Sequence, residues 1–161
     1  MSSNPASNVR LATVEDVPEI VRVTNAAYRV EDFFINGDRT HADEVLERVQ
    51  RANAGFLVAD ALTGLAASVY FELRGDRGYF GMLSVDPAHQ KRGHSKVLIA
   101  AVESHCRAAG CVALDIDVVN LRLELPAYYA ALGFVETGTA PFDNPRATRP
   151  AHLITMSRPI D

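Results

Sequence analysis

The chain contains no unbroken apolar run approaching the roughly 18 residues that a membrane-spanning helix needs, so no membrane partner is expected. Its start, Met1 to Asn8, has neither the basic patch nor the apolar stretch of a secretory signal. Residues 1–8 read instead as a disordered lead-in, and a cytoplasmic address is the expectation. Cysteine is scarce: Cys106 and Cys111 are the only two, which argues against a disulfide scaffold and for reduced thiols that serve packing. Positive charge is not in excess either. Sixteen Lys+Arg face twenty Asp+Glu, a formal charge of −4, and such a surface repels phosphate backbones, so nucleic acid is not an expected partner. The histidines, His41, His89, His94, His105 and His152, fall on different elements without ligand spacing, so no metal is expected. There is no G-x-x-x-x-G-K-[S/T], no G-x-G-x-x-G after the first strand, no internal repeat and no linker dividing the chain.

What remains is a chain of 161 residues, 48% hydrophobic and 22% charged, enough for one domain with its own core. Val9 to Ala12 is a short strand. Thr13 has the look of a helix N-cap, with Asp16 three residues on and Pro18 in the first turn. Val17, Ile20, Val21, Thr24, Ala27 and Tyr28 then recur at helical spacing. Residues 29–39 are irregular, and a second helix is expected over about 40–52 with Val45, Leu46 and Val49 inward. Three strands follow at 55–59, 65–73 and 79–85. In the middle one, Ala67, Val69, Phe71 and Leu73 alternate with Ser68, Tyr70 and Glu72. A helix opens near Gly93 and stops at Gly110, a natural C-terminal glycine. A strand at 112–119, joined to its predecessor through that helix, is expected to run parallel to it. A short helix at 126–132 and strands at 134–137 and 152–156 complete a mixed α/β order, a single sheet with helices on both faces.

The segment Leu83-Ser84-Val85-Asp86-Pro87-Ala88-His89-Gln90-Lys91-Arg92-Gly93-His94-Ser95 is the most informative. A strand ends, a polar turn follows, and a helix begins at a glycine. The first N–H groups of a helix lack internal partners and carry partial positive charge, so this end favours phosphate. Gly93 lets backbone approach a diphosphate, and Lys91 and Arg92 add charge.

This stretch resembles the acetyl-CoA-binding motif V-x-P-x-x-[Q/R]-x-x-G-x-[G/A] of the GNAT superfamily of N-acetyltransferases. Val85, Pro87, Gln90 and Gly93 match, and Ser95 stands where the family has Gly or Ala. A second stretch, Asn120 followed by Tyr129-Ala130-Ala131-Leu132-Gly133-Phe134, resembles the family's N…Y-x-x-x-G-F signature, with a longer gap that places an insert at 122–126. The resemblance spans Val9 to Met156. It implies the GNAT fold: about seven strands in one mixed, mostly antiparallel sheet, splayed between two central parallel strands, filling residues 9–161. It also implies acetyl-CoA as cosubstrate, with Leu83, Ser84 and Val85 offering backbone groups to the pantetheine arm. Gln90, Lys91, Arg92, Gly93, His94 and Ser95 would hold the diphosphate, and Asn120 would bond the arm or else cap a helix.

The implied activity is transfer of an acetyl group to a primary amine on a small molecule or peptide. The amine must lose a proton, and the leaving sulfur must gain one. In the family, the tyrosine at the Tyr129 position is often the general acid. For the base, alternation puts Asp115 and Asp117 on one strand face, where two like charges would raise one pKa; some ribosomal-protein N-terminal acetyltransferases carry a glutamate at the Asp115 position. Both are candidates, with Glu72 another and a structural ion pair the alternative. Tyr128 is expected to be structural. By analogy with the family, the acceptor loops are 29–38 and 138–149, and a homodimer through the last strands is possible. A non-catalytic acyl-CoA-binding protein of the same fold stays open as the alternative.

Overall fold

The computed structural model describes residues 8–161, so the expected lead-in lies, but for Asn8, outside the described residues. Seven strands form one sheet in the order β1-β2-β3-β4-β5-β7-β6. In chain order the elements are β1 (Val9–Leu11), α1 (Val17–Ala27), α2 (Ala42–Gln50), β2 (Ala54–Asp60), β3 (Leu65–Arg74), β4 (Arg77–Val85), α3 (His94–Ala108), β5 (Ala113–Val119), α4 (Glu124–Ala131), β6 (Val135–Pro141) and β7 (His152–Pro159). Every neighbouring pair is antiparallel except β4 with β5.

The alternation along β3 explains the layers. Ala67, Val69 and Phe71 face α3, packing with Leu98, Ile99, Val102 and Cys106. Tyr70 faces the other way, into a cluster with Val17, Ile20, Val23 and Val45 of α1 and α2. Both faces are covered, so nearly all of β3 is buried. Thr13 precedes a short 3-10 turn (Val14–Asp16) and its N–H donates to the Asp16 carboxylate at 2.8 Å, but the N-cap position of α1 itself is Asp16, one turn later than expected. The two-residue β3–β4 hairpin loop has Gly75 at φ 64°, the positive-φ position such a tight turn asks of glycine.

Several local expectations are corrected. Val23 is buried in α1, whereas Val21 is half-buried. Leu46 of α2 is 37% exposed, because this short helix turns only Val45 fully into the core. The short helix expected over 126–132 begins earlier: α4 opens at Glu124, so part of the insert at 122–126 is helix. β6 and β7 run on to Pro141 and Pro159. The exposed, polar edge strand β6 carries no apolar alternation to reveal its length.

The register of β4 positions the site. Ser68 of β3 pairs with Ser84, but Tyr70 pairs with Gly81, so β4 carries one extra residue between them. Met82 takes φ 52° at this bulge. The parallel ladder to β5 covers only Arg77–Ala113, Gly78–Leu114 and Tyr79–Asp115; beyond it the strands diverge, as the fold expectation required.

Candidate active site

Where β4 and β5 part, a cleft of about 430 Å³ opens. Gly81, Met82, Leu83 and Val85 form one wall, and Ile116, Asp117 and Val118 form the other. Gln90, Lys91, Gly93, His94 and Ser95, from the turn and the start of α3, and Tyr128 and Tyr129 of α4 also line it.

The turn between β4 and α3 has the features of an anion site. The Asp86 carboxylate accepts from the Ala88 N–H at 3.0 Å and from Arg22 at 2.8 Å, while the Asp86 N–H donates to Ala66 O, so the strand's exit is pinned. Lys91 and Gly93 both have positive φ, 65° and 81°. A Cβ on Gly93 would meet no atom within 4 Å, so glycine here serves backbone conformation and open space, not packing. The first α3 helical bond runs from the Val97 N–H to Gly93 O at 3.1 Å, which leaves the amides of His94, Ser95 and Lys96 without helical partners. His94 is buried with its Nδ1 unpartnered among the described residues. Burial, with the nearby His89 and Arg92, lowers its pKa and keeps it neutral. These features fit the diphosphate of acetyl-CoA.

Tyr129 is 7% exposed, held edge-on to Phe134 at 5.7 Å and tilted to Phe80 at 6.2 Å. Gly133, at φ 95°, ends α4 so that Phe134 folds back under Tyr129, its N–H on the Tyr129 carbonyl at 3.1 Å. Burial raises the phenol's pKa above its ordinary value, so it carries its proton at neutral pH.

The two aspartates of β5 separate in role. Arg77 grips Asp115 through two hydrogen bonds, at 2.8 and 2.7 Å, and this pairing lowers the Asp115 pKa. The same guanidinium donates to Ser157 Oγ, and Asp115 does not line the cleft. Asp117 does line it, and its carboxylate takes no hydrogen bond among the described residues; the residue as a whole is exposed, but partial desolvation against the cleft wall raises its pKa, opposed by Arg74 and assisted by Asp115. Glu72 is also engaged, accepting from Tyr70, Arg51 and Arg74. Burial would raise its pKa, but these partners outweigh it and the net shift is downward.

Of the residues singled out in the sequence, Leu83, Val85, Gln90, Lys91, Gly93, His94, Ser95, Asp117 and Tyr129 meet around this cleft. Others do not. Ser84 does not line the cleft, and its hydroxyl donates to Met82 O at 3.0 Å. Arg92 is exposed beside His89. Asn120 is not brought to the cleft: its Oδ1 accepts the His152 N–H at 2.9 Å and its own N–H donates to His152 O, tying the end of β5 to β7. It neither caps α4, whose N-cap is Leu123, nor lines the cleft. Tyr128, taken as structural, lines the cleft beside Tyr129.

A second chamber of about 340 Å³ adjoins the cleft, sharing Gly81, Met82, Asp117 and Val118 with it. Tyr28, Glu31, Arg39, Tyr79, Arg122 and Asn144 also line it, and none was singled out as a site residue. Glu31 and Asn144 come from the loops expected to hold the acceptor, Tyr28 and Arg39 lie just outside the first of these loops, Tyr79 comes from β4 and Arg122 from the insert; only folding brings them together. The loops are tied to each other by Thr148 N–H to Phe34 O at 2.8 Å and Asn36 N–H to Arg146 O at 2.9 Å. No group of three His, Cys, Asp or Glu among the described residues is placed to hold a metal, and no described helix is long and apolar enough to cross a membrane.

Residues 22–134 match the model of the Acetyltransferase (GNAT) family. The chain belongs to this family. The family uses acetyl-CoA, and acetyl-CoA is accordingly the cofactor of this chain. Among solved structures, the ribosomal-protein-S18-alanine N-acetyltransferase from Escherichia coli is similar, with a TM-score of 0.78 at 17% identity over 95% of this chain and 93% of that one. Ribosomal-protein-alanine N-acetyltransferase from Brucella melitensis has a TM-score of 0.75 at 19% identity, over 94% of this chain and 98% of that one. The yncA protein of Salmonella typhimurium, a proposed acetyltransferase solved with its cofactor acetyl-CoA, has a TM-score of 0.73 at 20% identity, over 95% of this chain and 93% of that one. At these identities the likeness speaks to the fold alone. No curated protein matches the sequence.

Proposed function

We propose that this GNAT protein transfers an acetyl group from acetyl-CoA to a primary amine by direct attack, with Asp117 as base and Tyr129 as acid. The observation that carries the proposal is that a carboxylate of raised pKa and a phenol still holding its proton open into one cleft, beside the Gly93 turn.

Acetyl-CoA supplies the activated thioester. The chain's own residues then have distinct tasks. The α3 amides, with Gly93 and Lys91, hold the diphosphate. Backbone N–H groups of β4 beyond Tyr79, released from the ladder to β5, are free to polarise a carbonyl oxygen lying in the cleft. Asp117, directly or through one water, accepts the proton that the amine nitrogen must lose as the new N–C bond forms. Tyr129 gives its hydroxyl proton to the sulfur as the C–S bond breaks, and regains one from solvent. Asp115 is a positioning residue in this scheme: with Arg77 it fixes β5 against β4 just before the strands part.

The test is thiol release from acetyl-CoA with a panel of amines, run on the wild type, Tyr129→Phe and Asp117→Asn. Turnover by the wild type that both variants lose, with CoA binding retained, supports the scheme. Binding of CoA without turnover on any amine would instead favour the non-catalytic reading.

A further inference from the structure

The second chamber holds two opposite charges, Asp117 and Arg39, that form no ion pair among the described residues. Asp117 lies exposed on the border it shares with the acetyl-CoA cleft, and its carboxylate has neither ion pair nor hydrogen bond among the described residues, Arg74 acting on it only at longer range. Arg39 lines the chamber but not the cleft, so acetyl-CoA bound in the cleft is not its counterion. It is half-buried and its guanidinium lies 5.2 Å from the centre of the Tyr28 ring, yet it forms no ion pair among the described residues. Glu31, on which its charge acts, is hydrogen-bonded elsewhere: it accepts from Arg122 at 3.0 Å, and Arg122 also holds Glu124 at 2.6 Å. Every other carboxylate in the chamber belongs to Asp117 or to Asp143 at the exposed rim.

A guanidinium lodged against an aromatic face without a carboxylate is a ready site for a planar anion, which it can grip through two parallel N–H donors. A carboxylate near the thioester end, also unpaired, favours a cationic amine. The two charges share a chamber of about 340 Å³, a volume suited to a small molecule. Both would be satisfied at once by a single ligand carrying an amine and a carboxylate.

We infer that the acceptor is a free amino acid, its amine beside Asp117 and its carboxylate on Arg39. The inference rests on the acetyl transfer proposed above and names its substrate class. Asp117 is catalytic in that scheme. Arg39 binds the far end of the acceptor and sets specificity, and Tyr28 holds the guanidinium in place. Amides and decarboxylated amines lack that carboxylate and are poor substrates.

The test uses the full chain saturated with CoA or acetyl-CoA. The probes are the standard L-amino acids, β-alanine and γ-aminobutyrate, with the amide and the decarboxylated amine of each. Calorimetry against the CoA-bound protein reads binding without turnover, and thiol release reads transfer. The expected result is that at least one amino acid binds and reacts at least tenfold better in kcat/KM than its amide. Arg39→Gln should collapse that acid-to-amide ratio toward one by raising KM for the acid, and Arg39→Lys should restore part of it. Amides or simple amines used as well as the acids, a ratio unmoved by Arg39→Gln, or no heat with any amino acid would each overturn the inference. If amides react freely, the proposed chemistry stands and only the substrate class fails. If amino acids bind but no amine reacts, the chemistry fails while the binding site stands.

Discussion

Tyr79 of β4 lies opposite Asp115 of β5, and past that pair the two strands no longer meet. The clamp from Arg77 to Asp115 sits on the paired side of this boundary, and Asp117 sits on the open side. Two residues of the same type and the same strand face are thereby given different environments.

Replacing Asp117 with Asn should abolish most turnover, on the order of 10²-fold or more in kcat. Its raised pKa means that the acid limb of the wild-type kcat/KM profile lies above the ordinary aspartate value of about 3.9, and that this limb disappears in the variant. The stability effect has the opposite sign. A carboxyl whose pKa is higher folded than unfolded opposes folding once pH rises through the folded value, so Asp117→Asn should melt no lower than wild type at pH 7. Thermal melts alongside a pH–rate profile check both halves.

Asp115→Asn should behave the other way round. The Arg77 pair lowers the Asp115 pKa, so its contribution to stability is present above about pH 3.9 and fades as pH falls through the folded value. Because both partners are partly exposed, the loss should be about 1 kcal/mol or less at neutral pH, and kcat should fall far less than in Asp117→Asn. Urea melts at pH 7 and pH 3 should show the wild type and variant converging at the lower pH.

Gly93→Ala introduces no clash, since the new Cβ would enter open space. Its cost is the left-handed backbone, about 1–2 kcal/mol, and a weaker grip on the diphosphate. Calorimetry with CoA should show lower affinity than wild type, and urea melts should show the backbone cost.

Gly78→Ala tests packing away from the site. A Cβ there would lie 2.5 Å from Cys106 Sγ and 3.1 Å from a Leu114 methyl. Overpacking should cost about 1–3 kcal/mol, and adding Cys106→Ala should recover part of it. Urea melts of the single and double variants give the coupling.

Much of this was legible in the chain. The alternation of β3, the strand–turn–helix around Gly93, the glycine closing α4 at 133 and the tyrosine four residues earlier are local signals, and local signals survive without coordinates. What escaped depends on distant partners. Nothing beside Asp115 reveals that Arg77 will claim it, and nothing beside Asn120 reveals that its amide will bind the backbone of His152. The Met82 bulge, which sets which β4 residues face the cleft, appears only in the pairing with β3. Arg39 and Arg122 lie in segments of no regular periodicity, so their meeting in the second chamber could not be read from spacing.

The most direct measurement is mass spectrometry of an amine panel incubated with isotopically labelled acetyl-CoA and either the wild type or Tyr129→Phe, with CoA binding by each checked calorimetrically. The account predicts a labelled acetyl group on amine nitrogen with the wild type, and at least a 10²-fold slower appearance with the variant despite intact CoA binding. Label transferred equally fast without the Tyr129 hydroxyl, or never transferred by a wild type that binds CoA, would contradict it.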